Sequence, residues 1–168
     1  MRTVRDIPEL KDFPLKGVYT LVVFLRRGAT LRVRELGFFS FQKGYYAYTG
    51  SAVGDGAVSL RKRVARHLRR EKTRHWHIDF FLENENARIV AVVAAETSIN
   101  MECQVNDAIK NLPGAMIPVA GFGATDCKQN CGSHLVRFSS KRAADGIARA
   151  YAHLFENRKV HSINVGMR

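Results

Sequence analysis

GVYTLVVFL (17–25) decides how the rest of the chain is read. Only Thr20 and the phenol of Tyr19 interrupt an otherwise apolar, β-branched run of strand length, which predicts a buried central strand. Working outward, RRGAT (26–30) supplies a turn, and TLRVREL (30–36) alternates apolar and charged residues as a half-exposed strand does. FQKGYYAYTG (41–50) then brings the chain back, so three strands in this order predict an antiparallel sheet with short connections. Within it, GYYAYTGSA (44–52) runs three tyrosines up to Gly50-Ser51, the pattern of an aromatic strand that meets a turn.

After the turn AVGDGA (52–57) the period changes. Ala57, Leu60, Val64 and Leu68 recur at three- and four-residue spacing and make one face of a helix apolar. HWHIDFFL (75–82) is ambiguous between strand and helix: a strand places His75, His77 and Asp79 on one face, and a helix places His75 beside Asp79. RIVAVVAAE (88–96) reads as a second buried strand and SINMECQVNDAIKNLPG (98–114) as a helix closed by Pro113-Gly114. A glycine-rich loop, GFGATDCKQNCGS (121–133), leads to a short strand, HLVRF (134–138), and residues 139–157 form an amphipathic helix carrying Ile147, Tyr151, Leu154 and Phe155. The expected fold is one α+β domain spanning 1–168, with a small, mainly antiparallel sheet of three or more strands flanked by helices.

At 168 residues the chain suits one core, and 46% apolar with 25% charged residues is a globular composition. No apolar run reaches membrane-spanning length and residues 1–16 lack the apolar segment of a signal peptide, so the cytoplasm is the expected compartment. Cys103, Cys127 and Cys131 are expected to be reduced thiols. Twenty-seven Lys and Arg against 15 Asp and Glu leave a net charge of +12, which predicts a polyanionic partner. Arg61, Lys62, Arg66, Arg69, Arg70, Lys72 and Arg74 are the candidate phosphate-contacting residues, opposed locally only by Glu71. Membrane binding fits poorly, because arginines surround this helix and its apolar stripe is needed by the core.

The first strand begins Gly17-Val18-Tyr19 and the returning one ends Tyr48-Thr49-Gly50. If the two are neighbours, both phenols emerge near one end of the sheet, beside Arg63 and His67 at i and i+4 on the basic helix. Glu102 on the later helix closes the group. Phosphodiester hydrolysis needs a proton acceptor, a cation for the pentacovalent charge and an oxygen ligand for a divalent ion, and this set supplies all three.

These half-motifs, with the arginine and histidine of LRKRVARHL (60–68), resemble the GIY-YIG nuclease superfamily; RHLRREKTRHWHIDFF (66–81), MECQ (101–104) and GFGATDC with SHL are similar to its small stand-alone branch. The resemblance runs from about residue 16 to 138 and leaves the C-terminal helix outside. It implies a metal-dependent endonuclease acting on nucleic acid, DNA first, with Mg²⁺ or Mn²⁺. Carried over, Tyr19 is the general base or water-orienting phenol, supported by Tyr48; Arg63 stabilises the transition-state charge; His67 contacts phosphate or assists proton transfer, as does His77; Glu102 holds the metal, with Glu96 as the alternative carboxylate. The half-motifs lie further apart than is usual there, since residues 26–43 intervene, and Val18 and Thr49 replace the eponymous isoleucines. The rival from another class is a nucleic-acid-binding module without turnover.

Cys127, Cys131 and His134 invite a zinc reading, with His75 or His77 as a fourth ligand. The cluster lacks the second ligand pair of a closed zinc site, so two reduced cysteines in a tight loop is the preferred reading. Trp76 is read as core, and Asp79 and Asp126 either orient a histidine or satisfy backbone donors.

Overall fold

The structure is a computed structural model, and it describes residues 8–166. The sequence-read domain, 1–168, therefore extends past the described residues at both ends. In chain order the elements are β1 (Gly17–Leu25), β2 (Ala29–Val33), β3 (Gly37–Phe41), β4 (Gly44–Ala52), α1 (Leu60–Leu68), α2 (His77–Leu82), β5 (Ala87–Glu96), α3 (Glu102–Lys110), β6 (Leu135–Phe138), α4 (Ala143–Leu154) and β7 (Val160–Asn164). Five strands form one antiparallel sheet in the order β6-β4-β1-β5-β7.

The central strand is the one its composition predicts, but its neighbour is not the next strand in sequence. β2 and β3 pair with each other as a separate hairpin, and β4 runs alongside β1 over its whole length, from Gly17 opposite Ala52 to Leu25 opposite Gly44. The reason is burial. The place beside β1 is covered on both faces, and GYYAYTGSA can fill it; β2 and β3 alternate exposed and half-exposed residues and bury only Val33 and Phe41.

Alternate residues of β1 serve two cores. Tyr19, Leu21, Val23 and Leu25 pack toward Leu60 and Val64 of α1, Ile78 and Phe81 of α2, and the hairpin. Val18 and Val22 face Val105 and Ile109 of α3 and Ile147 and Tyr151 of α4. β5 changes parity on the way: Ile89 and Val92 lie on the first face and Ala91 and Val93 on the second. A register shift against β1 at Val22/Val23 absorbs the extra residue, as a bulge does. Nine-residue α1 is too short to persist alone. Burial of Leu60 and Val64 holds it to the sheet, at about 1.5–3 kcal/mol for each side chain.

Several boundaries move. α1 starts at Leu60, after a 3₁₀ turn (Gly56–Val58), and the side chain of Ala57 lies outside the described residues. The basic helix stops at Leu68, so Arg69 to Arg74 sit on the segment that follows. There Lys72 folds back and donates to the carbonyls of His67 and Arg69, which closes the helix end. HWHIDFFL is helical only from His77. β7, which VHSIN did not announce, pairs with Ala91–Ala95 of β5 and covers that edge.

Candidate active site

Two opposed residues of β1 and β4 set the geometry. Tyr19 lies across from Gly50, and a Cβ at Gly50 would stand 2.6 Å from the Tyr19 hydroxyl. Glycine is therefore required for close approach: the phenol ring crosses the neighbouring strand and reaches α1. Tyr48, opposite Leu21, projects from the same face.

Behind Tyr19 runs a buried polar chain. The Tyr19 hydroxyl lies 2.8 Å from His67 Nε2, and His67 Nδ1 faces Asp79 Oδ1 at 4.0 Å. The phenol and Nε2 share a hydrogen bond, and Nδ1 is buried beside the carboxylate without a hydrogen bond to it. Asp79 is held by both Arg66 nitrogens at 3.0 and 2.9 Å and by the backbone N–H groups of His75 and Trp76 at 2.8 and 2.9 Å. It thus caps α2, one of the two roles the sequence left open, and stands beside His67 without a hydrogen bond to it.

Burial depresses the basicity of His67 and keeps it neutral, while Asp79 pulls the other way. Burial also raises the Tyr19 phenol, against the opposing effect of the Arg63 guanidinium, and raises Tyr48. The resident form of both tyrosines is the protonated one.

Tyr19 and Tyr48 line a cleft of about 500 Å³ with Arg63, Trp76, Glu102 and His134. Arg63 donates to the Ser51 carbonyl and lies 5.2 Å from the Trp76 ring centroid; Arg66 lies over the same ring at 4.6 Å. Trp76 is half-buried, packed on the core and exposed to the cleft together. Glu102 opens α3 at the cleft wall, and Glu96 is an exposed residue at the C-terminal end of β5 that does not line it. Asp126 also lines the cleft.

The structure therefore gathers Tyr19, Tyr48, Arg63 and Glu102 on one cleft, with His67 directly behind Tyr19. It does not bring His77 there. His77 Nδ1 accepts the Gly123 N–H at 2.8 Å and Nε2 lies 3.2 Å from Glu35 Oε1, so this side chain ties the glycine-rich loop to the hairpin region. The basic residues divide likewise. Arg66 is engaged with Asp79 and the Thr73 carbonyl, Arg61 with the Phe13 carbonyl, and Arg74 with Glu83 at 2.8 Å. Lys62, Arg69 and Arg70 are exposed, and the last two with Arg26 and Lys72 line a second, basic hollow of about 420 Å³.

Cysteine chemistry departs from the expectation of three reduced thiols. Cys103 and Cys131 form a disulfide and Cys127 is free. Cys127 Sγ lies 3.4 Å and His134 Nε2 3.9 Å from Cys103 Sγ, so four donors lie within 4.8 Å of one another. The fourth member is Cys103 rather than His75 or His77. Cys103 stands 24 residues before Cys127, too far in sequence for spacing to join it to the cluster. His134 turns its other nitrogen, Nδ1, to Glu102 Oε1.

No curated protein and no solved structure matches the chain. The resemblance to GIY-YIG nucleases is corrected by the family comparison, which assigns the chain to a distinct family and takes in α4 as well. Each half-motif is three residues long, and a tyrosine laid over a glycine across a strand pair accounts for both in terms of packing. The site thus stands on its geometry, in a chain whose residues 18–158 match the model described as Domain of unknown function DUF123 and which belongs to that family.

Proposed function

We propose that this cleft hydrolyses phosphodiester bonds in nucleic acid, as a metal-dependent endonuclease with DNA the first substrate to test. The observation that carries the reading is the Tyr19–His67 hydrogen bond with the Asp79 carboxylate 4.0 Å beyond, opening beside Arg63 and Glu102. A phenol–imidazole pair accepts a proton, an arginine favours a phosphate, and a +12 protein gathers polyanions.

In this reading Arg63 binds the scissile phosphate and stabilises the charge that develops on its oxygens. Tyr19 and Tyr48 position the attacking water. As the water loses its proton to Tyr19 Oη, the phenol proton passes to His67 Nε2, and Asp79 stabilises the imidazolium formed. Arg66 and the α2 N-terminus hold Asp79 ionised for that purpose. Glu102 fits a hard divalent cation such as Mg²⁺ or Mn²⁺: it is a carboxylate at the cleft wall with Oε1 on His134, and Oε2 is the oxygen that would hold the ion. When bound, the ion supplies Lewis-acid stabilisation of the phosphate.

The test is a panel of duplex, single-stranded and branched DNA plus RNA, incubated with Mg²⁺, Mn²⁺ or chelator. Cleavage that needs the metal and falls about 10²–10³-fold in Arg63→Ala is the expected result. A second reading, binding without turnover, is favoured by the two phenols held protonated; it predicts retention of the panel with every strand intact.

A further inference from the structure

We propose that Cys103, Cys127, Cys131 and His134 form a four-ligand zinc site that staples the cleft wall, a site independent of whether the cleft is a nuclease. Three sulfurs and one imidazole nitrogen converge within 4.8 Å. A disulfide accounts for two of the sulfurs, but not for a third sulfur at 3.4 Å or an imidazole nitrogen aimed at the pair from 3.9 Å. With Zn–S near 2.3 Å and Zn–N near 2.0 Å, the edges of a tetrahedral site are about 3.5–3.8 Å; the 3.4 and 3.9 Å from Cys103 Sγ to Cys127 Sγ and His134 Nε2 are close to that, and the bonded sulfurs of Cys103 and Cys131 reach it by parting on reduction.

The surroundings have the form of a metal site. His134 presents Nε2 to the sulfurs and Nδ1 to Glu102, the carboxylate–histidine arrangement that fixes a ligating imidazole. Cys103, Cys131 and His134 are buried, and Cys127 completes the set from the cleft side. A set of four protein ligands is closed, hence structural.

The location explains the need. Residues 111–134 join α3 to β6 without a helix or strand, a length of connection that is uncommon unless something holds it. Five left-handed positions, Gly114, Gly121, Gly123, Asn130 and Gly132, fold it on itself. Zinc joins the first turn of α3, this loop and the residue before β6, so it holds the neighbours of Glu102 and Asp126, both of which line the cleft.

Zinc and the disulfide are alternative states of the same sulfurs. A phosphine reductant converts the Cys103–Cys131 bond to two thiols, one water supplying the phosphine-oxide oxygen and the two thiol protons. Zinc then replaces three thiol protons, which pass to buffer.

The full-length protein, reduced with phosphine, is loaded with Zn²⁺, desalted and measured by atomic emission. About one zinc per chain is expected, with an absorption-edge spectrum of three sulfurs at about 2.3 Å and one nitrogen at about 2.0 Å. Cys127→Ser should lose the metal, although this residue is outside the disulfide, and Glu102→Gln should weaken zinc affinity about 10–100-fold through His134. Should Cys127→Ser fail to fold, Co²⁺ titration of the wild type decides, because thiolate-bound tetrahedral cobalt has its own visible bands. Wild type that binds neither metal with all three thiols titratable, or Cys127→Ser that retains zinc like wild type, overturns the site.

Discussion

Asp79 shows how one side chain carries both stability and site geometry. Burial alone would raise its pKa, but Arg66 and the N–H groups of Trp76 and His75 outweigh that and hold it low. A carboxylate depressed in the folded state contributes stability above its unfolded value near 3.9 and loses it as pH falls through the folded value. His67 has the same sign: burial lowers its pKa, so the folded state refuses a proton that the unfolded chain takes up below about 6.5. Thermal stability should therefore fall from about pH 6.5 downward, and scanning calorimetry across pH 3–8 checks it. Asp79→Ala leaves Arg66 without its partner and α2 uncapped; a loss of about 3 kcal/mol, or roughly 10 °C in Tm, is expected. Such pairings are not legible in sequence. Tyr19, Tyr48, Arg63, His67 and Glu102 could be named from residue type and spacing, whereas Asp79 becomes decisive only once α2 turns it toward α1.

Among elements, the sequence revealed those whose period was strong and missed those whose fate depends on competition. GVYTLVVFL and RIVAVVAAE carry enough apolar surface to be central strands in any arrangement. The choice of neighbour was hidden because it turns on comparison: β4 displaces β2 and β3 only by having apolar residues on both faces. β7 was hidden because an edge strand needs few apolar residues, and its pairing with β5 is supplied by backbone. The attachment of α4 has one polar contact at its centre, where Tyr151 Oη lies 2.8 Å from Thr20 Oγ1, itself 2.9 Å from Thr49 Oγ1. In Tyr151→Phe the two threonines keep each other, so a loss of about 1 kcal/mol is expected in denaturant unfolding, with the m-value unchanged. A larger loss accompanied by a changed m-value would mean that α4 unfolds separately.

For the whole molecule, no helix among the described residues is long and apolar enough to cross a membrane, and charge is the dominant long-range property. Nucleic-acid affinity should fall linearly in log salt, and Arg69→Ala should reduce the slope by about 1, since Arg69 is exposed. Arg66→Ala should instead lower Tm, because its guanidinium is engaged inside the protein; filter binding across a salt series separates the two. In the proposed phosphodiester hydrolysis the phenol at the β1–β4 crossing passes on the proton of the attacking water. Single-turnover cleavage by wild type and Tyr19→Phe, at equal binding and with Mn²⁺ present, tests it most directly. A loss of about 10²-fold or more in the variant, with Tm preserved, is the result predicted for a proton relay; cleavage at the wild-type rate, or bound substrate left uncut by wild type, would contradict it.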